Sequence, residues 1–115
     1  MIVQMTVDRV TVDLIVRHAT VADAMDQALL ANKAAEHTYR SDAERAVAVM
    51  IYPRCVACTQ GTVEIDGQTK SVKELTPQEF CSLPYEIGEA WLQAVIEENP
   101  GWALQVEEQT SEKKF

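Results

Sequence analysis

From Val3 to Val16 apolar and polar residues alternate, and the phase changes once: Val3, Met5 and Val7 are odd, whereas Val10, Val12, Leu14 and Val16 are even. Period-two alternation marks a strand with one buried face, because successive side chains point to opposite sides. A one-residue change of phase would turn the second half of a continuous strand inside out. A two-residue loop at Asp8-Arg9 removes the conflict. Val7 then opposes Val10, Met5 opposes Val12 and Val3 opposes Leu14, so one face is wholly apolar and Gln4, Thr6, Thr11 and Asp13 take the other. Neither loop residue is Gly or Asn, which tight hairpin turns favour, so a single bulged strand stays open as the alternative. The hairpin is the preferred reading.

The period then changes to that of a helix. Thr20-Val21-Ala22-Asp23 resembles a capping box, and Val21, Met25, Ala28 and Leu29 follow at helical spacing through an Ala-rich segment that ends near Ala35. Glu36 to Arg40 is a polar connection. Ser41-Asp42-Ala43-Glu44 caps a further helix with Ala43, Val47, Met50 and Ile51 on one side. Pro53 removes a backbone donor and disfavours helical geometry at Tyr52, so this helix either stops there or kinks before continuing toward Thr59.

Val63 and Ile65 alternate ahead of Asp66-Gly67, the strongest short turn signal in the chain. Pairing across that turn sets Ile65 against Gln68 and Val63 against Lys70. The return arm, Gln68 to Ser71, is entirely polar, which suits an edge strand or a projecting ribbon. Thr76-Pro77-Gln78-Glu79 then predicts a short capped helix with proline at its first position. Pro84 pre-sets another helix, on which Ile87, Trp91, Ala94 and Val95 share a face, and Asn99-Pro100 ends it. Trp91, with Ile87 and Val95 one turn to either side, reads as core.

These elements predict an α+β domain over residues 1–102, mainly helical, with about four helices packed on a small antiparallel sheet that begins with the N-terminal hairpin. Residues 103–115 read as a polar C-terminal tail. A chain of 115 residues supports one modest core.

Charge narrows the function classes. Eighteen Asp and Glu against ten Lys and Arg give a formal net charge of −8, with no basic run to offset it. Such a surface repels phosphate, which argues against nucleic-acid binding. No stretch reaches the length and apolarity of a membrane span or an export leader, so the expected compartment is the cytoplasm. The odd number of cysteines, Cys55, Cys58 and Cys81, suits reduced thiols.

Candidate chemistry is sparse. Cys55-Val56-Ala57-Cys58 has ligand-pair spacing, but a structural zinc site needs four ligands, and the remaining candidates are the isolated Cys81, His18 and His37. A redox pair of the thioredoxin type opens a helix after a strand, whereas these cysteines follow a helical segment. Buried structural cysteines are the simpler reading, with a small cytosolic thiol or metal-binding protein as the alternative. Neither histidine has a nucleophile at a recognisable spacing, and the glycines form no phosphate-binding cluster, so no catalytic residue, cofactor or metal is assigned. Trp102, Leu104 and Val106 follow Pro100-Gly101 as an apolar strip. It either folds back onto the preceding helix or presents a binding surface to another chain, and these three are the candidate partner-binding residues.

Several motifs occur in order: Met50-Ile51-Tyr52-Pro53, then Ala57-Cys58-Thr59, then Leu75-Thr76-Pro77-Gln78-Glu79-Phe80, then a helix with a central Trp91 that ends in Asn99-Pro100. In this order and spacing, which covers roughly half the chain, it resembles the tail assembly chaperones of tailed bacteriophages. The resemblance implies a non-catalytic protein of the bacterial host cytoplasm. It would keep the tape measure protein soluble and recruit tail tube subunits without remaining in the finished virion. Its partners would be the tape measure and tail tube proteins, bound through an apolar groove suited to amphipathic helices.

Overall fold

In the computed structural model, which describes residues 1–104, the phase switch at Asp8-Arg9 is a tight turn. Both residues have positive φ, 48° and 68°, as a primed hairpin turn requires. The twist of the flanking strands therefore outweighs the mild left-handed penalty at two non-glycine residues. Strand β1 (Ile2–Val7) pairs antiparallel with β2 (Val10–Val16) in the register Val7 to Val10, Met5 to Val12 and Val3 to Leu14. The bulged alternative is not adopted.

The second turn, Asp66-Gly67, has φ of 52° and 85° and joins β3 (Thr59–Ile65) to β4 (Gln68–Ser71), with Ile65 opposite Gln68 and Val63 opposite Lys70. Strand β3 also pairs along its full length with β2, Val12 opposite Val63 and Leu14 opposite Gly61. The result is one antiparallel four-stranded sheet in the order β1-β2-β3-β4, with the polar β4 at one edge and β1 at the other. Gly61 is required where it stands. Its φ is 128°, and a Cβ there would lie 2.1 Å from the Asp13 carbonyl oxygen on β2.

Four helical runs pack with this sheet among the described residues. Helix α1 (Val21–Ala35) begins at Thr20, whose hydroxyl accepts from the Asp23 N–H at 3.1 Å while the Asp23 carboxylate accepts from the Thr20 N–H at 3.0 Å. Helix α2 (Asp42–Ala46), capped by Ser41, runs into a widened turn at Val47–Ile51 and on into α3 (Tyr52–Ala57). The widened turn resolves the conflict posed by Pro53. Tyr52 donates back five residues to the Val47 carbonyl, so the chain continues past the proline without the usual four-residue ladder. The Arg54 guanidinium donates to the Met50 carbonyl oxygen. Helix α4 (Pro77–Cys81) carries the Thr76 and Glu79 capping box, and α5 (Tyr85–Glu98) leads to a single tight turn at Pro100–Trp102.

The core lies between one face of the sheet and helices α3, α4 and α5. Val10, Val12, Leu14, Val16 and Val63 meet Cys55, Val56, Phe80, Ile87, Trp91 and Val95 there. Tyr52, Phe80 and Trp91 form an edge-to-face series, with ring centroids 5.7 Å and 5.4 Å apart. The Tyr52 hydroxyl donates to the Leu75 carbonyl at 2.7 Å, so its polar end is satisfied inside the core. Helix α1 is the outlier. It packs chiefly on α3 and the widened turn.

No helix among the described residues is long and apolar enough to cross a membrane.

Candidate functional site

Helical spacing of apolar residues ordinarily marks the face that meets the core. In α1 it marks the face that meets solvent. Val21, Met25 and Leu29, each four residues from the next, are 90%, 62% and 52% exposed. Ala24, Ala28 and Asn32 lie between and beside them, also exposed. The inward side is made by Asp23, Gln27, Leu30 and Ala34, of which Ala34 is fully buried and Leu30 packs against the core.

Two ion pairs accompany the inward packing of Leu30 and Ala34. Both acidic residues of α1 turn toward cations on the body of the domain. Arg17 donates to the two Asp23 carboxylate oxygens at 2.9 Å and 3.4 Å, and Asp26 lies 3.7 Å from the Lys73 ammonium. The hydrogen bond from Arg17 holds the Asp23 carboxyl below the usual carboxylate range, against the opposing effect of burial. With the charges spent inward, the outward stripe from Val21 to Asn32 carries none. From Val21 to Leu29 the stripe is about 12 Å long. This is therefore an apolar ridge of about two turns, bounded by Lys33, on a chain whose net charge is −8.

The apolar strip at the C-terminal end adjoins the start of that ridge. Trp102 folds back and is half-buried against the core; its N–H donates to the Asn99 carbonyl at 2.8 Å, and its carbonyl accepts from Arg54 Nε at 2.8 Å. Trp102 and Pro100 face Thr20, Val21 and Ala24 across a shallow depression of about 390 Å³. Leu104 is 36% exposed just beyond it. Val106 lies outside the described residues. Of the three sequence candidates, Trp102 is thus a packing residue with one side open, and Leu104 is the more accessible.

A separate groove of about 480 Å³ runs between the widened turn, α4 and α5, lined by Val47, Ile51, Phe80, Leu83 and Leu92. Gly88 leaves its floor open, since a Cβ there would meet nothing within 4 Å.

The cysteines do not converge on a ligand set. Cys55 and Cys58 are buried, one turn apart at the end of α3, and the Cys58 thiol donates to the Arg54 carbonyl at 3.5 Å. Cys81 stands apart on α4, donating to the Glu44 carbonyl at 3.4 Å. Burial pushes all three thiols up, which favours the protonated, unreactive form. Among the described residues, no group of three or more His, Cys, Asp or Glu side chains is placed to hold a metal ion. His18 Nδ1 lies 3.2 Å from the Glu98 carbonyl, and His37 packs edge-on to Tyr39 at the far end of α1. Among the described residues, neither histidine is hydrogen-bonded to a carboxylate or nucleophile.

Sequence reasoning found the spacing of the α1 stripe but not its outward direction. The available signal was Asp23, which projects on the opposite side of the helix from Val21, Met25 and Leu29, whereas Asp26 flanks the stripe. Comparison with family models, curated proteins and solved structures finds no match.

Proposed function

We propose that this chain is a non-catalytic binding protein of the tail assembly chaperone kind, acting in the cytoplasm of a bacterial host on tape measure and tail tube proteins. The observation that carries the proposal is the uncharged ridge of Val21, Met25 and Leu29 on an otherwise acidic domain. An amphipathic helix of a partner seats on such a ridge through residues at matching helical spacing. Ala24 and Ala28 permit close approach, and Met25 adapts to irregular partner surfaces. The acidic remainder of the domain keeps the chain soluble while the ridge covers partner segments that would otherwise self-associate. The ordered motifs from Ile51 to Pro100 add the family resemblance and supply its named partners.

Co-expression with the tape measure and tube proteins of the same genome tests the proposal. The expected result is a co-purifying complex and a higher soluble yield of the tape measure protein. Met25→Glu with Leu29→Glu is expected to abolish the complex while leaving the unfolding transition unchanged, because both side chains are already exposed. Absence of a complex with either folded partner overturns the proposal, as does a complex insensitive to the double variant.

A further inference from the structure

Among the described residues, strand β1 has an unpaired edge with none of the usual protections. It is six residues long, Ile-Val-Gln-Met-Thr-Val, and contains no charge, no proline and no bulge. Its bonding pattern follows from its end. Val16 donates to the Met1 carbonyl at 2.7 Å and Met1 donates back to the Val16 carbonyl at 2.9 Å, so odd-numbered residues exchange bonds with β2. The N–H and C=O groups of Ile2, Gln4 and Thr6 therefore point away from the sheet, and β1 pairs only with β2 among the described residues. The opposite edge differs. Strand β4 is four residues long and carries Lys70.

We propose that this edge pairs antiparallel with β1 of a second copy of the chain, about a two-fold axis through Gln4, and makes one continuous eight-stranded sheet. The strand is self-complementary in that register. Ile2 meets Thr6 of the partner, Gln4 meets Gln4 and Thr6 meets Ile2, so every outward backbone group of these three residues acquires a partner. Parity then places Val3 beside the partner's Met5 on the core side of the sheet.

That placement explains how the core ends at β1. On β2 the core-facing residues Val10, Val12, Leu14 and Val16 are buried, while their β1 neighbours Val3, Met5 and Val7 pack on the same core but stay half-exposed. A second β1 continues the apolar layer over them. A foreign peptide would need its own matched alternation, whereas a second copy carries it by symmetry. Pairing through six residues covers less than the roughly 800 Å² per partner of a standard interface. The dimer is accordingly weak and concentration-dependent, and salt favours it by screening two bodies of net charge −8. This association is independent of the chaperone reading, since it uses the sheet edge rather than α1.

Sedimentation equilibrium of the full chain, with any tag at its C-terminal end, tests the proposal from micromolar to millimolar concentration at raised ionic strength. The expected result is a rise from one to two chains per particle, with slowed hydrogen exchange at the Ile2, Gln4 and Thr6 amides as dimer accumulates. Gln4→Pro removes an N–H that β2 does not use, and Gln4→Lys sets two like charges face to face at the axis. Each is expected to weaken self-association by about tenfold or more. Far-UV circular dichroism and urea melts verify that each variant remains folded. Met25→Glu is expected to leave the dimer intact. A chain monomeric throughout, a dimer unaffected by Gln4→Lys, or a dimer abolished by Met25→Glu overturns the proposal.

Discussion

The Trp91 indole N–H donates to the Thr59 hydroxyl at 2.9 Å in the centre of the core, joining α5 to the first residue of β3. Both residues are fully buried. Neither polar group has access to water, so the indole N–H depends on the Thr59 hydroxyl for its hydrogen bond. Thr59→Val keeps the shape and leaves the indole N–H unpaired, at an expected cost of about 1–3 kcal/mol in urea melts. Trp91→Ala removes the ring that also meets Phe80 edge-on, and about 3–5 kcal/mol is expected. A double-mutant cycle with Trp91→Phe is expected to show coupling between the two sites, because they share one buried hydrogen bond.

Asn99 ends α5 and also ties the β2 to α1 connection to that end. Its side-chain oxygen accepts from the Ala19 N–H at 2.8 Å, and its amide donates to the Arg17 carbonyl at 3.0 Å. Asn99→Ala leaves both backbone groups short of a partner, and about 2–3 kcal/mol of destabilisation is expected. Hydrogen exchange at the Ala19 amide gives the local readout and is expected to accelerate beyond the global change.

The Arg17 to Asp23 pair gives the domain an acid-sensitive component. The folded pKa of Asp23 is lowered, so its contribution is fully present above the unfolded value of about 3.9 and is lost as pH falls through the folded value. Asp23→Asn retains an acceptor for the Thr20 N–H but cannot ionise. The expected outcome is lower stability than the parent at neutral pH and a shallower loss below about pH 4. Thermal melts across the acid range measure the two slopes.

Two glycines are expected to respond in opposite directions to the same change. Gly61→Ala forces a Cβ against the Asp13 carbonyl and holds a non-glycine residue at φ 128°, so the β2 to β3 ladder must open there. A loss of more than about 2 kcal/mol is expected. Gly88 lies within α5 with open space beside it, and Gly88→Ala is expected to stabilise by about 0.5–1 kcal/mol. Urea midpoints at constant m distinguish the two outcomes.

Features set by neighbouring residues were legible before the structure. The register of both hairpins follows from parity and turn position, and the caps at Thr20, Ser41 and Thr76 are local bonds between a side chain and the backbone a few residues on. What depends on distant partners was not. Nothing near Val63 indicates that β3 aligns with β2, some fifty positions earlier, or that Gly61 must clear the Asp13 carbonyl. The spacing of Val21, Met25 and Leu29 defines a helix face without defining its direction, which depends on distant contacts, Leu30 and Ala34 against the body of the domain and Asp23 against Arg17. Pro53 signals a disturbance but not its form, since widening the turn depends on what the freed carbonyls can find, including the Arg54 guanidinium. Asn99 reads as a helix stop. Its buried bonds to Ala19 and Arg17 span about eighty positions and leave no local trace.

That span bears on how the chain matures during its synthesis. The β1 to β2 hairpin and α1 are made well before Asn99, so the connection between them is fastened only once some eighty further residues have been added. Until then the apolar face of the hairpin awaits Trp91 and Val95, and α1 is held by contacts formed with α3 rather than by a closed core. Nascent chains stalled before Asn99 should accordingly be cut readily by protease between Val16 and Val21, and chains released just past Trp102 should resist.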